Sequence, residues 1–147
     1  MNSSSDIQVH NPVHLALDAY KAAVHAKDVA AFAALYDTNV RVFDLWGTWR
    51  YEGLAAWREM AQGWFGSLGS ERVVVEFDEV VATVTPELAV GHAFVTYRAV
   101  DSEGAELRAL NNRLTLVLQR REGGWKIVHE HTSGPVDHET AKVMLKR

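Results

Sequence analysis

Asp44 closes the run Val40-Arg41-Val42-Phe43 and is followed at once by Trp46 and Trp49. A carboxylate set among aromatic groups loses hydration, which disfavours its charged form and lifts its pKa toward the range of a general base. Glu130 is the candidate second carboxyl. Tyr20, Tyr51 and Tyr97 are the candidate hydrogen-bond donors to a developing oxyanion. Together these residues suit proton transfer on an organic substrate. The competing reading is that Asp44 caps a turn and meets water.

His129-Glu130-His131 is a second constellation. Strand alternation puts both imidazoles on one face, about 7 Å apart, a spacing from which two rings can converge on a metal. A metal site needs a third ligand, and His92 is the one obvious candidate, so the expected metal set is none. The same histidines, beside Arg113 and Thr115, suit hydrogen bonding across a subunit interface. The third group is aromatic: Trp46, Trp49, Trp57, Trp64 and Phe65. Such stripes are commonly core. Four indoles in a small domain also suit the wall of a small-molecule cavity. Both readings stand.

Other chemistries are excluded or unsupported. There is no cysteine, which removes thiolate metal sites, disulfides and cysteine nucleophiles. No phosphate-cradling glycine loop, dinucleotide fingerprint or serine–histidine–acid order is present, and no cofactor is expected. A net charge of −4 without basic clusters gives no electrostatic case for nucleic acid or an anionic membrane. No apolar run approaches the ~20 residues of a membrane span, and the N-terminus lacks a signal-peptide pattern, so a cytoplasmic protein is expected.

The elements that must position these residues can be read in order. Residues 1–11 are polar and expected to be disordered, residues 12–135 to form the domain, and residues 136–147 a tail with one helical turn near Val143-Met144. Asn11-Pro12 starts a first helix with Val13, Leu17, Tyr20, Ala23 and Val24 on one face. Asp28 caps a short second helix burying Phe32, Leu35 and Tyr36. Residues 40–44 and 48–52 read as strands, and Gly53 opens a third helix carrying Trp57 and Trp64. The rest is sheet. In residues 73–84 the apolar set changes parity, which predicts a β-bulge near Asp78-Glu79. Residues 111–135 form a long hairpin around Arg120-Arg121-Glu122-Gly123-Gly124. A three-residue loop at Glu122-Gly123-Gly124 is favoured; it puts Val128, Glu130 and Thr132 on the face of Leu114, Leu116 and Leu118. Trp125, Ile127, His129 and His131 then join Arg113 and Thr115 on the other face. A two-residue loop would swap one strand's contribution. Three helices followed by a bent sheet make an α+β fold.

The chain resembles the nuclear transport factor 2-like superfamily, which includes ketosteroid isomerases and SnoaL-like polyketide cyclases. The resemblance lies in Phe43-Asp44, Tyr51-Glu52-Gly53-Leu54, Arg113-x-Thr115, Glu122-Gly123-x-Trp125 and Val128-His129-Glu130-His131-x-Ser133-x-Pro135. The last run is also similar to the final strand of the calcium/calmodulin-dependent protein kinase II association domain. Over residues 13–135 this implies a cone-shaped α+β barrel, three N-terminal helices packed in a strongly curved mixed or antiparallel sheet. It also implies a homodimer formed through the sheet, with Arg113, Thr115, Trp125, His129 and His131 at the interface. The association domain's pocket arginines are replaced here by Val95, Leu116 and Thr132, so its anion site is not reproduced. That alignment places Leu116 with Tyr20, Trp46, Trp49, Tyr51, Trp57, Trp64 and Tyr97 as expected lining for a small hydrophobic ligand. The expected function is ligand binding, with proton transfer by Asp44 and Glu130 if the protein is an enzyme; the alternative is a non-catalytic oligomerisation or ligand-sensing module.

Overall fold

The structure, a computed structural model, describes residues 11–147. Apart from Asn11, the expected disordered segment lies outside the described residues. Helix α1 (Pro12–Ala26) begins as its sequence predicts: Pro12 fills the first turn and the Asn11 side chain accepts the His14 N–H at 2.9 Å. It ends at Lys27, which takes a left-handed conformation. Helix α2 (Val29–Ala33) is capped by Asp28 through the Ala31 N–H. Helix α3 (Leu54–Ser67) follows Gly53, whose φ of 87° suits glycine, and buries Trp57, Ala61 and Phe65.

Six strands follow or intervene: β1 (Tyr36–Phe43), β2 (Tyr51–Glu52), β3 (Arg72–Val84), β4 (Leu88–Val100), β5 (Glu106–Arg121) and β6 (Gly124–Ser133). They form one sheet in the order β2-β1-β6-β5-β4-β3. Strands β1 and β6 run parallel and every other pair antiparallel, so the sheet is mixed. It curls over the helices as an open cone; β2 and β3 are its edges, and it does not close into a barrel. The bend in β3 falls where the parity change predicts, between Asp78 and Val81, with Glu79 at φ 54°. The core lies between α1, α2, α3 and the concave face, with Phe32, Val40, Val42, Val95, Leu118 and Ile127 almost fully buried.

Three segments differ from expectation. The second helix stops at Ala33, so Tyr36 opens β1 four residues before the expected strand start and is not on the helix. Strand β2 is two residues long, because residues 45–49 bend around Gly47 at φ 85° before pairing resumes. The tail has no helical turn. Asp137 accepts the N–H groups of Glu139 and Thr140, reversing the chain so that Val143 bridges back to Val136. Leu145 then accepts the Asn111 N–H, and the Arg147 guanidinium lies 3.7 Å from the centre of the Phe94 ring.

The β5–β6 hairpin combines both register options. Its loop has two residues, since Arg121 pairs with Gly124. Farther along, Leu118 faces Ile127 while Val117 faces His129, leaving Val128 as the extra residue of a bulge. Beyond the bulge, Leu116 faces Glu130 and Leu114 faces Thr132, the pairing that a three-residue loop would have produced. Before it, Trp125 and Ile127 share the face of Leu118. The expectation that they join Arg113 and Thr115 is therefore corrected: Ile127 is core, and Trp125 packs against it. Without the bulge, with Val128 in regular alternation after Ile127, the two-residue turn would point His129 and His131 inward and Glu130 out.

Candidate functional site

The concave face and α3 enclose a cavity of about 650 Å³. Asp44 reaches it from the end of β1 and Glu130 from β6, the neighbouring strand; Val42 pairs with Glu130 just before Asp44 leaves the sheet. Glu130 is 4% exposed. Burial pushes its carboxyl up to about 7; the Tyr36 hydroxyl, donating to Oε1 at 2.7 Å, opposes that rise, and the Asp44 charge adds to it. Asp44 is itself raised by burial. The Thr132 hydroxyl, donating to Oδ1 at 2.9 Å, and the amides of Trp46 and Leu45 pull it back down. Thr132 is fixed in turn because its oxygen accepts the Leu45 N–H at 2.8 Å. Two carboxyls thus share one apolar hollow with their ionisations pushed apart. Burial chiefly, with the Asp44 charge adding to it, holds the proton on Glu130.

The phenols complete the polar part. Tyr20 and Tyr97 meet hydroxyl to hydroxyl at 2.9 Å, both lining the cavity. One proton serves that bond, leaving the other to point elsewhere. Burial raises both phenols, so both remain neutral donors at ordinary pH. Tyr51 lines the hollow too and is raised by partial burial and by Asp44. Trp57 and Trp64 form the helical wall, and Trp46 the mouth at 51% exposed. Burial and the Glu130 carboxylate raise the Tyr36 phenol well above its ordinary value. Trp57 packs edge-on to Tyr36 and Tyr51, and its Nε1, near the Tyr36 hydroxyl but without hydrogen-bond geometry, works against that rise.

Two expected lining residues are elsewhere. Trp49 is 93% exposed and outside the cavity, because the bend at Gly47 turns Trp46 toward the mouth and Trp49 toward solvent. Leu116 is core, set behind the Tyr20–Tyr97 pair in a separate gap of only about 10 Å³. Val95, Leu116 and Thr132 are all buried, and Thr132 serves Asp44.

On the convex face, Phe43 packs edge-on to His129 and His131, whose rings are 6.3 Å apart. His129 Nδ1 donates to the Arg41 carbonyl at 2.8 Å. Arg113 and Thr115 are exposed on the same face; Arg113 donates to the Ser133 hydroxyl at 3.1 Å and meets no carboxylate among the described residues. Among the described residues, no group of three or more histidines and carboxylates gathers to hold a metal ion.

Residues 13–137 match the sequence profile of the SnoaL-like domain. The chain belongs to the SnoaL-like family. Solved structures agree on the nuclear transport factor 2-like fold. An NTF2-like protein of unknown function from Pseudomonas putida is similar, with 23% identity over 92% of each chain and a TM-score of 0.80. Aln2 from a Streptomyces species shares 15% identity over 90% of this chain and 93% of its own, at a TM-score of 0.74. A protein named for the calcium/calmodulin dependent protein kinase II association domain, from Xanthomonas campestris, shares 18% over 90% and 88%, at 0.68. At these identities the likeness shows the fold alone. No curated protein matches the chain significantly.

Sequence reasoning missed Asn112, Met60 and Leu110 in the SnoaL-like cavity wall, and Tyr36 as the partner of Glu130. The sequence places Tyr36 on the buried side of the second helix, whereas in the structure it opens β1 beside β6 and faces inward to Glu130. Asn112 had no signal, since it stands in a polar Asn-Asn-Arg run that reads as a strand's solvated end.

Proposed function

We propose that this SnoaL-like protein is a cofactor-independent proton-transfer enzyme acting on a small, largely apolar organic molecule. Asp44 takes a proton from a carbon beside a carbonyl. Protonated Glu130 and the Tyr20–Tyr97 pair supply hydrogen-bond donors to the resulting enolate. The observation that carries this reading is the pairing of Asp44 with a Glu130 poised at about 7, both opening into one apolar cavity. Return of the proton to another carbon makes the reaction an isomerisation; loss of a β-hydroxyl as water makes it a dehydration; attack of the enolate carbon on a second carbonyl of the same molecule, whose oxygen takes up the proton, makes it a cyclisation.

Deuterium uptake at the α-carbons of 2-tetralone, an enolisable bicyclic ketone, tests the reading. The protein should accelerate exchange, and Asp44→Asn should reduce it by about 10²–10⁴-fold, the usual share of a positioned base, while keeping its melting transition. The rate should require Asp44 ionised and Glu130 protonated. It should therefore fall as pH rises through about 7, and fall again as Asp44 protonates on the acid side. Undiminished exchange in Asp44→Asn removes Asp44 from the mechanism.

A second reading concerns assembly. The convex face mixes half-buried Phe43, Phe94 and Val117 with exposed Thr115, Arg113 and His131. It suits a homodimer formed sheet to sheet, in the cytoplasm. The non-catalytic association or sensing role needs only that face and no turnover.

A further inference from the structure

Asn112 is 6% exposed and lines the cavity, yet its Oδ1, fully buried as the side chain stands, has no hydrogen-bond partner among the described residues. Buried amides are nearly always paired, so an unpaired one in a cavity wall marks a place where a ligand group belongs. The polar side chains nearest to it in the register, Tyr97 and Thr132, are bonded elsewhere, Tyr97 to Tyr20 and Thr132 to Asp44 and the Leu45 N–H. Across β4 the partner of Asn112 is Val95, and Val73, Ala99 and Leu110 form the neighbouring wall. The side chain's last torsion is soft, so either end of the carboxamide can turn to the cavity. A hydroxyl, which both donates and accepts, satisfies either end.

Its place along the sheet gives a distance. Asn112 lies two residues before Leu114, which faces Thr132, the residue holding Asp44, and four before Leu116, which faces Glu130. At strand rise these are about 7 Å and about 13 Å. We propose that Asn112 binds a substrate hydroxyl at the end of the cavity away from the carboxyl pair. The substrate class is then an elongated, fused-ring-sized apolar ketone carrying a hydroxyl remote from the carbon that loses its proton. The substrate class rests on the proton-transfer reading above; the hydroxyl contact itself does not.

Matched probes test it: 6-hydroxy-2-tetralone against 2-tetralone, with binding followed by calorimetry. The wild-type protein should hold the hydroxylated ketone about tenfold more tightly, the fold-change of one net hydrogen bond to a buried group. Asn112→Leu should bind both ketones equally. In the wild type, the side-chain amide signals of ¹⁵N-labelled Asn112 should shift with the hydroxylated probe alone, a readout independent of how the variant folds. Equal affinities in the wild type, a preference retained in Asn112→Leu, or amide signals that do not distinguish the probes would each overturn the assignment. If the preference holds but no α-deuterium appears, the proton-transfer reading and the ketone class fail, and the hydroxyl contact stands. If neither ketone binds, the cavity reading falls and takes this proposal with it.

Discussion

Glu130 is where chemistry and stability meet most directly. Its folded pKa of about 7 lies above the ordinary 4.5, so the folded state holds the proton more tightly than the unfolded chain. That contribution is complete below about 4.5, declines as pH rises toward about 7, and is absent beyond. The gap corresponds to about 3 kcal/mol. Glu130→Gln keeps an acceptor for the Tyr36 hydroxyl and carries no charge at any pH. Its stability relative to wild type should therefore rise by about 3 kcal/mol between pH 4 and pH 8, read from urea unfolding at each pH. A constant difference would mean that Glu130 titrates normally. Thr132 and Tyr36 act through the two acids, each bonded to one carboxyl, and the sequence alone could pair neither with its acid.

At the scale of elements, two bulges set what faces inward. The one in β3 is written in the alternation of Val73, Val75 and Phe77 followed by Val80, Ala82 and Val84. The one at Val128 is not, because Ile127 and Val128 are both apolar and either could point inward. Trp46 and Trp49 are equally indistinguishable as residue types; only the turn between them sorts cavity from solvent. Helix α1 and β4 meet at Gly91, where an added Cβ would lie 2.4 Å from Cγ1 of Val13. The approach is backbone to side chain, so something must shift. Gly91→Ala should cost about 1–3 kcal/mol in chemical denaturation, as overpacking does. Val13→Ala in the same chain should recover part of that loss. Independent, additive effects of the two changes would argue against the contact.

For the molecule as a whole, the α+β order, the helix starts and the hairpin were legible because local patterns dictate them. The open edges of the cone, the sheet order and the path of residues 136–147 depend on contacts between distant segments and left no local trace. If the convex face joins two copies about a two-fold axis, each residue near that axis approaches its own counterpart. Thr115 is central there, between His92 on β4 and His131 on β6 in the register of the three strands. Sedimentation should give twice the chain mass for the wild type and one chain mass for Thr115→Glu, which sets like charges together. A wild type that sediments as a single chain at high concentration would end the dimer proposal.

The acids stand on β1 and β6, whereas Asn112 and its apolar neighbours belong to β5, β4 and β3. The two acids and the apolar recognition wall thus occupy different strands, with Tyr97 on β4 the one proposed enolate donor set among the latter. Substitutions on the far strands can rewrite which molecule is accepted while leaving the reacting pair untouched. Such a scaffold can diversify its guests by drift at a handful of positions without reinventing its chemistry.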